Sequence, residues 1–500
     1  METNKLNIQG MVYTDDATRK KFSKDASSYS IQPQMVAAPA NETDVIRILE
    51  YAQKSGTSIT CRSGGSGLSG AGIGPGIIVD FKPLMNGIKQ LDPEIIAEPG
   101  VVLEDFLKEI HTKGLMLPAI PSSSSWCALG GNIGTRATGP RTARYGTIDA
   151  FVASLKFITA RGDVVDTRKK LPDYLEKGLM RIREQYLSDD KARRLFENRP
   201  PIAGGYNVPA LSRYNDPGDI AAHLMVGSIG TLGVVTEIRL SPIPIRNPRM
   251  TYAAFFSRLE EIGDALNRIN ELHPAAVEYI DGNTLARIQG KLLHKRHKHI
   301  AGALLVEFDE SEEQVEKGQK ILVNSHPESL IPVPVDSPEE TRIWEERRLI
   351  LPRLRAFARK KGWIVPSIID DVAIHVRDFV PVIRDLNQLM HRLQHDICIF
   401  GHIGFGSLHA RPLFDPGRKN ITEQIDTVSR QTFQILHRYG GTLVGEHNAG
   451  RSRSIYLEME LGESFKYLRE IKHLFDPEDL LNPNTLFNTA PITENMNLGR

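Results

Sequence analysis

The spacing of apolar residues near the start of the chain predicts a helix followed by a strand. From Asn41, apolar positions recur every three or four residues up to Gly56, which predicts a helix capped by the asparagine and ended by the glycine. The segment TSITCR at 57–62 then has the composition of a strand. Two further short strands are expected in IIVDF and EIIAEP, and a second helix near Val102–Thr112.

The middle of the chain predicts a β-hairpin and then a change of architecture. The segment VASLKFITARGDVVDT reads as two strands around an Arg161–Gly162 turn. Prolines end the following strand near residue 244, where we place a domain boundary. Beyond it, strands alternate with helices at Leu259–Leu272 and Glu312–Val323, which favours an antiparallel sheet with helices on one face. The basic segment at 342–363 reads as a helix interrupted by Pro352.

Composition excludes several classes of function. Lys plus Arg number 62 against 61 Asp plus Glu, so no net field attracts nucleic acid. Cys61, Cys127 and Cys398 are too far apart for a zinc or iron–sulfur motif. No run approaches the roughly 18 apolar residues of a membrane span, so we expect a cytoplasmic protein, with peripheral attachment to the inner face of a membrane as the alternative. The basic runs at 291–299 and 342–363 are interpreted as solvated faces, with a docking edge for a membrane or an acceptor protein as the alternative.

A glycine-rich loop supplies the first candidate chemistry. The loop RSGGSGLSGAGIGPG at 62–76 contains G-x-G-x-x-G, but a strand follows it, so it lacks the helix of a Rossmann fingerprint. Successive glycines can instead point backbone N–H groups into one concavity that receives phosphate oxygens. A plain structural turn is the alternative reading. A second stretch, ALGGNIGT at 128–135, also reads as a loop and favours a phosphate-bearing cofactor.

Nine ordered segments resemble one family. They are CRSGGSGLSGAGIGPGIIVDF, IAEPGVVLEDF, ALGGNIGT, RYGTIDAFV, GYNVPAL, MVGSIGTLGVVTE, FGHIGFGSLHARP, VGEHNAGRSR and LFDPEDLLNPNTLF. The chain is similar to the FAD-linked oxidases with a flavin domain of the para-cresol methylhydroxylase (PCMH) type, particularly the D-lactate and D-2-hydroxyglutarate dehydrogenases. The resemblance implies an α+β fold, with a two-part FAD-binding domain at 29–245 and an antiparallel-sheet cap domain with flanking helices at 246–490. An N-terminal segment at 1–28 and a tail at 491–500 complete the expected organisation.

The resemblance also implies which residues hold FAD. They are Arg62, Ser63, Gly64, Gly65, Ser66, Gly67, Leu68, Ser69, Gly70, Pro121, Ser122, Gly130, Gly131, Asn132, Gly134, Thr135, Tyr145, Gly146, Gly233, Val234 and Val235. Relatives with covalent flavin have a histidine in or near the first loop. This loop has none, so we expect noncovalent FAD, and Cys127 is interpreted as a buried thiol rather than an attachment site.

A histidine pair marks the predicted cap domain. If Gly404–Ser407 form a turn, Ile403 pairs with Leu408 and His402 with His409, and two imidazoles about 5 Å apart could share one ion. Glu446 and His447 in GEHNAG add a carboxylate and a third imidazole. The resemblance implies His402, His409 and Glu446 as ligands of a divalent metal, zinc or manganese, and His447 as the catalytic base.

The resemblance assigns Arg347 to the substrate carboxylate, a task that suits a planar guanidinium. A surface arginine on a charged helix is the alternative. The lysine that hydroxyglutarate enzymes use for a second carboxylate is replaced by Ile369, so a second substrate carboxylate is not expected.

Four other positions or segments depart from the family pattern. They are 404–407 (GFGS for GDGN), Asn448 for glycine, Ile229 for glutamate and Arg136 for asparagine.

The resemblance and the candidate site residues together predict an FAD-dependent dehydrogenase that oxidises a small D-2-hydroxy acid. Electrons would pass to an external acceptor such as a quinone, a cytochrome, an electron-transfer flavoprotein or oxygen, because the chain has no ligand set for a second redox centre. Two alternatives stay open: a non-catalytic flavin-binding subunit, and a non-oxidative flavoenzyme of the alkyl-dihydroxyacetone-phosphate synthase type. The substrate side chain, the acceptor, the metal identity and the oligomeric state are left open by the sequence.

Overall fold

A computed structural model describes residues 6–90, 94–246, 250–288, 300–335 and 337–498. The basic run at 291–299 lies outside these residues. The strands of the first half are β1 Met11–Tyr13, β2 Met35–Ala38, β3 Ile59–Arg62, β4 Ile77–Asp80, β5 Ile88–Gln90, β6 Ile95–Ala97, β7 Leu115–Met116, β8 Val152–Ile158, β9 Val164–Asp166, β10 Val234–Leu240 and β11 Ile243–Pro244. Its helices are α1 Asp16–Phe22, α2 Glu42–Ser55, α3 Leu103–His111, α4 Leu129–Thr135, α5 Thr142–Tyr145, α6 Asp173–Ser188, α7 Asp190–Glu197, α8 Ala210–Arg213 and α9 Pro217–Met225.

Two main sheets form the first half, as a two-part flavin domain requires, and β7 and β11 form a separate two-stranded sheet. One has the strand order β1-β2-β4-β3, in which β2, β4 and β3 run parallel. The other has the order β5-β6-β10-β8-β9 and is antiparallel. A shared core cluster, with Val45 and Val79 from the first sheet unit and Ile158 and Val234 from the second, holds the sheets together.

The predicted first helix is confirmed at both ends. The Asn41 side chain accepts a hydrogen bond from the Asp44 backbone N–H, and Gly56 takes a left-handed conformation with φ +64°. The predicted hairpin also forms, but Ile158 pairs with Val164, so the turn is longer than the expected Arg161–Gly162 pair. Gly162, with φ +90°, follows the turn as its bulge residue.

The second half continues the chain with seven strands and nine helices among the described residues. The strands are β12 Met250–Phe256, β13 Ala276–Asp281, β14 Gly302–Phe308, β15 Ser329–Val333, β16 Val372–Ala373, β17 Asp396–Gly401 and β18 Ser407–Leu413. The helices are α10 Leu259–Asn270, α11 Gly282–Arg287, α12 Glu312–Asn324, α13 Pro338–Arg348, α14 Ile350–Lys360, α15 Phe379–Arg392, α16 Ile421–Arg438, α17 Gly450–Leu461 and α18 Lys466–Phe475. The strands form one antiparallel sheet with the order β15-β12-β14-β13-β17-β18-β16.

Helices cover both faces of this sheet, not one as the sequence suggested. Side chains of β12 alternate between two apolar clusters, because successive residues of a strand point to opposite faces. Tyr252 and Phe256 pack in the cluster that contains α10, α15 and α16. Ala253 and Phe255 pack in the cluster that contains α13 and α14. The inner strands β13 and β14 are therefore buried on both faces.

The interruption of the basic helix lies at Leu349 rather than at Pro352. Leu349 ends α13 and begins α14, so Pro352 falls in the first turn of α14, where a missing N–H costs no helical hydrogen bond. This break turns the end of α13 and the start of α14 toward the first half of the molecule.

The C-terminal helices return to the first half. Leu457 of α17 and Leu468 and Phe475 of α18 belong to the same core cluster as Phe157 of β8. The domain boundaries expected at 245 and 490 stay predictions, since the segment assigned to the cap domain contributes to both cores. Of the helices that the structure describes, none is long and apolar enough to cross a membrane.

Candidate functional site

A deep cleft separates the glycine-rich segments of the first half from the seven-stranded sheet. Its empty volume, which includes space open to solvent, is about 1950 Å³. The predicted flavin residues that line it are Arg62, Ser63, Gly64, Gly65, Ser66, Gly67, Leu68, Pro121, Ser122, Gly130, Gly131, Asn132, Gly134, Thr135, Gly233 and Val235. Segments that are distant in sequence are thus brought to one wall.

Five predicted flavin residues do not line the cleft. Val234 begins β10 between the lining residues Gly233 and Val235, and its side chain packs into the core on the other side of the strand. The Ser69 hydroxyl donates to the His447 carbonyl at 3.1 Å, and Gly70 lies against Tyr29. Tyr145 hydrogen-bonds Asp309 with its hydroxyl, and Gly146 caps the short helix α5.

The second glycine stretch, expected as a loop, is the seven-residue helix α4. Its glycines keep the cleft wall flat: a Cβ at Gly131 or Gly134 would come no closer than 3.8 Å to a protein atom. A Cβ at Gly67 in the first loop would meet no atom within 4 Å. The Asn132 amide nitrogen is buried here without a hydrogen-bond partner among the described residues. An open glycine wall with an unsatisfied donor fits a polar cofactor such as a dinucleotide.

The Arg62 guanidinium supports the first loop from behind. Its Nη1 lies 3.4 Å from the Phe22 carbonyl and 3.3 Å from the Gly72 carbonyl, and the group stacks on the Phe22 ring. The loop is therefore tied to the C-terminal end of α1.

On the opposite wall, His402, His409 and Glu446 form the predicted cluster. One ligand atom from each residue lies within 4.8 Å of the others. The expected strand register was wrong, because His409 pairs with Phe400 rather than with His402. A single helical turn at Ile403–Phe405 follows β17 and begins directly after His402. The imidazole centroids of His402 and His409 lie 5.7 Å apart.

The pKa shifts of His409 and Glu446 favour the forms of these side chains that bind a cation. Burial, together with the neighbouring His447 and His402 charges, holds the pKa of His409 well below its usual value, which keeps the imidazole neutral. Burial of Glu446 acts to raise its pKa, but His402 and His447 outweigh it and the pKa is lowered. Glu446 also accepts a hydrogen bond from Thr138 at 2.7 Å. A neutral imidazole at His409 beside an ionised carboxylate at Glu446 is a combination that binds a divalent metal.

His447 is held by Asp371. The His447 Nδ1 lies 3.1 Å from the Asp371 carboxylate, which also accepts the backbone N–H groups of His447 and Gly445. The ring's Nε2 lies 3.7 Å from Glu446. Burial opposes protonation, but Asp371 raises the pKa of His447 above its usual value. The aspartate thus fixes the ring and makes the imidazole a stronger base.

Arg347 is buried and lines the cleft, so the surface reading of this residue is wrong. Its Nε donates to Glu278 at 2.5 Å, and its guanidinium lies 5.3 Å from the Phe400 ring centroid. The Nη2 atom is buried without a hydrogen-bond partner among the described residues. The other oxygen of Glu278 contacts His402 Nδ1.

A buried ion network lies beneath His447 and His409. The Asp370 carboxylate accepts from Arg453 at 2.9 Å and lies 3.0 Å from Arg411, and all three side chains are fully buried. Burial acts to raise the pKa of Asp370, but the two arginines hold it at about 2. Ile369 points away from the cleft into the cap core.

Three departures from the family pattern share one conformation. Arg136, Ile229 and Asn448 all have positive φ, at +56°, +47° and +61°. Asparagine tolerates this conformation, and the Asn448 side chain accepts from the Gly205 N–H and donates to the Gly227 carbonyl. Ile229 lines the cleft. Because it is β-branched, its positive φ strains the backbone.

Sequence reasoning missed Thr138, Glu278, Asp370 and Asp371 as site residues. A signal was present for three of them: Glu278 interrupts an apolar strand, and Asp370 with Asp371 interrupts the apolar run SIIDDVAI. A charge in a segment buried on both faces is expected to have a partner. Thr138 carried no such signal.

Two family models match the chain. Residues 33–168 match a model described as an FAD binding domain, and residues 245–486 match the C-terminal domain of FAD linked oxidases. The chain therefore carries a PCMH-type FAD-binding domain followed by an oxidase C-terminal domain. It belongs to the FAD-linked oxidase family, with glycolate oxidase, D-2-hydroxyglutarate dehydrogenase and D-lactate dehydrogenase homologues.

Individual relatives agree over most of the chain. The glycolate oxidase subunit GlcD of Bacillus subtilis is 29% identical over 96% of this chain and 95% of its own length. The D-2-hydroxyglutarate dehydrogenase of Pantoea ananatis is 28% identical over 97% of the chain, which spans about half of that relative, 51%. The mitochondrial D-lactate dehydrogenase [cytochrome] of Arabidopsis thaliana is 25% identical over 91% of the chain and 73% of its length.

Solved structures show the same fold. An alkyldihydroxyacetonephosphate synthase structure matches with a TM-score of 0.64 at 18% identity, covering 94% of this chain and 82% of the other.

Proposed function

We propose that this protein is a dehydrogenase that uses noncovalent FAD to oxidise a small D-2-hydroxy acid to the 2-oxo acid. One observation carries the proposal: Arg347, His447 and the cluster of His402, His409 and Glu446 line the same cleft as the glycine-rich segments. The names of the GlcD, D-2-hydroxyglutarate and D-lactate relatives support the substrate class. The electrons would leave through an external acceptor.

Two bound groups would supply the chemistry that side chains lack. FAD, held along Arg62–Leu68 and the α4 glycines, supplies a hydride acceptor when bound. A divalent ion, zinc or manganese, on His402, His409 and Glu446 would supply a Lewis acid for the substrate hydroxyl. No histidine lies in the first loop, and Cys127 is buried in the core of the first half, which supports noncovalent binding.

The side chains of the cap wall divide the remaining work. Arg347 binds the substrate carboxylate through its unpaired Nη2, since a guanidinium with a free edge suits a carboxylate. His447 accepts the hydroxyl proton at Nε2, because Asp371 occupies Nδ1. Ile369 places no cation for a second carboxylate, which favours a substrate with one carboxylate and a small side chain.

Anaerobic flavin reduction tests the proposal directly. The FAD-loaded protein is mixed with D-lactate, L-lactate, glycolate and D-2-hydroxyglutarate, and bleaching of the flavin absorbance is followed with analysis of the oxo acid. We expect reduction by D-lactate or a similar D-acid and none by L-lactate. Absence of bleaching with every acid, in protein that holds FAD, would contradict the proposal and favour a non-catalytic flavin-binding or non-oxidative role.

Metal removal tests the ligand assignment separately. A chelator should lower the rate of flavin reduction while FAD stays bound, and zinc or manganese should restore it. Protein that contains no metal by elemental analysis and keeps its rate in chelator would show that the cluster is not a metal site.

A further inference from the structure

The carboxylate of Glu278 lies at the centre of the cap wall without touching the cleft. Glu278 is in β13, where its neighbours Val277 and Tyr279 are apolar, and its exposed fraction is 0%. A carboxylate in such a place is costly unless its oxygens are paired. Both oxygens are paired, and each serves a different functional side chain.

The first oxygen serves the metal cluster. Glu278 Oε1 contacts His402 Nδ1, so the proton of a neutral His402 lies on Nδ1 and its Nε2 is free to ligate. A carboxylate behind a ligating histidine fixes both the tautomer and the ring orientation. Glu278 therefore pairs with Nδ1 of His402 in the same way that Asp371 pairs with Nδ1 of His447.

The second oxygen serves the substrate-binding arginine. Glu278 Oε2 accepts from Arg347 Nε at 2.5 Å, while the Phe400 ring packs against the guanidinium. These two contacts leave Nη2 buried and unpartnered among the described side chains at the cleft. The guanidinium edge is thus aimed before any ligand arrives.

We propose that Glu278 is a positioning residue that holds the metal ligand His402 and the carboxylate anchor Arg347 in register, so that one residue sets both metal affinity and substrate affinity. The inference rests on the proposed function, and it adds a residue that neither binds substrate nor ligates. Because one carboxylate serves both sides, a change at Glu278 should weaken both affinities together.

The substitution Glu278→Gln separates this role from simple burial. The amide has one acceptor where the carboxylate has two. If the amide oxygen accepts from Arg347, the NH₂ group faces His402 Nδ1 and forces the histidine proton onto Nε2, which blocks ligation. If it accepts from His402, the NH₂ group opposes the Arg347 N–H. Either orientation damages one partner directly, and loss of the negative charge weakens the remaining hydrogen bond to the other partner.

Glu307 on the neighbouring strand β14 offers a matched control. It is also buried, and it pairs with Arg141 at 2.7 Å, but it contacts no predicted ligand, base or anchor. The substitution Glu307→Gln removes the same charge from the same sheet. Any general effect of losing a buried carboxylate should therefore appear in both variants.

The experiment uses the FAD-loaded full chain as wild type, Glu278→Gln and Glu307→Gln. Zinc and manganese dissociation constants are measured by competition with a chromogenic chelator, and KM and kcat are measured with the acid that reduces wild type best. For Glu278→Gln we expect metal affinity to fall about ten- to a hundredfold and KM to rise at least about tenfold. Glu307→Gln should stay within about threefold of wild type in both constants.

The outcomes separate the inference from the proposed function. If wild type binds metal and oxidises the acid while Glu278→Gln matches Glu307→Gln in both constants, the positioning role is refuted. If wild type does neither, the proposed function has failed first. Should Glu278→Gln not fold, Glu278→Asp keeps the charge but shortens its reach, and both affinities should still fall about threefold or more. Wild-type constants in Glu278→Asp would equally overturn the inference.

Discussion

The two walls of the cleft differ in the kinds of residue that form them. The first-half wall consists largely of glycine and small polar residues in two local segments, 62–68 and α4. The cap wall presents ionisable side chains from separate segments, such as Arg347 and His447, and the carboxylates of Glu278 and Asp371 pair with these two from behind the wall. One wall leaves space for a ligand through the absence of side chains, and the other presents paired charges.

This difference has energetic consequences. Glycine positions that face open space contribute little to the packed core, so changes there should act on ligand binding more than on folding. The paired charges of the cap wall are buried, and removing one member leaves an uncompensated charge in the core. Changes on the cap wall should therefore affect chemistry or stability, depending on which member is lost.

Loss of the base should have the largest effect on chemistry. His447→Ala is expected to retain FAD and metal, because its ring is neither a predicted metal ligand nor part of the glycine wall. A positioned base contributes about a hundred- to ten thousandfold, so the single-turnover rate of flavin reduction and kcat should fall by that factor. His473→Ala, an exposed histidine of α18, is the control. A rate within a few fold of wild type would place the base elsewhere, with His402 and His409 tested next.

Loss of a buried network charge should have the largest effect on stability. Asp370→Asn leaves Arg411 and Arg453 buried without their shared anion. Breaking a buried pair costs about 3–5 kcal/mol, and the midpoint of urea unfolding should drop accordingly. An unchanged midpoint would show that the network adds nothing to stability, and the contrast between the two walls would fail.

Removal of the carboxylate anchor should have an intermediate effect. Arg347→Ala loses a charge-assisted pair worth about 1.5–3 kcal/mol, so KM for the hydroxy acid should rise roughly ten- to a hundredfold. Arg347→Lys should recover little, because an ammonium lacks the planar fork. Arg359→Ala, an exposed arginine of α14, should leave KM unchanged. An unchanged KM in Arg347→Ala would remove this residue from the substrate site.

Filling the glycine wall should affect the cofactor alone. Gly67→Val adds a side chain where no protein atom lies within 4 Å, so it occupies ligand space without displacing the core. Crowding of this kind costs about 1–3 kcal/mol, which corresponds to about a ten- to hundredfold loss of FAD affinity. FAD titration by fluorescence quenching measures it, and Gly417→Val in a distant loop serves as control. A drop in the stability of the apoprotein equal to that of Asp370→Asn would contradict the contrast.

Sequence reasoning recovered most of the fold because its signals are local. The cap at Asn41, the stop at Gly56 and the strands around β12–β15 all depend on neighbouring residues. It wrongly placed helices on only one face of the large sheet. The apolar pattern of β13 and β14 is consistent with burial on both faces, but it does not indicate which elements cover each face. The register of β17 and β18 was also wrong, because the helical turn after β17 consumes residues that a tight hairpin would have paired.

The site divides in the same way. The glycine segments could be located from motif and resemblance, since each lies within a few consecutive residues. Glu278 and Asp371 could not be assigned, because their partners lie 69 or more residues away in sequence and only tertiary packing joins them. Val234 points away from the cleft because successive residues of a strand point to opposite faces. The motif residues alone do not reveal which face of the strand lines the cleft.

The smallest expected effect comes from an aspartate with the same pKa as Asp370 but a different environment. Asp189 caps α7, accepting from the Ala192 N–H, and lies 2.9 Å from Lys466; these contacts lower its pKa to about 2. A depressed pKa means that the charge stabilises the fold above the unfolded value near 3.8, and that this contribution is lost as the pH falls toward 2. Because the pair with Lys466 is solvent-exposed and asparagine caps helices as well as aspartate does, Asp189→Asn should cost only about 0.2–1 kcal/mol at pH 7. Urea unfolding at pH 7 and at pH 3 measures this cost, which should shrink at the lower pH. A cost as large as that of Asp370→Asn would show that burial does not decide the value of these two carboxylates.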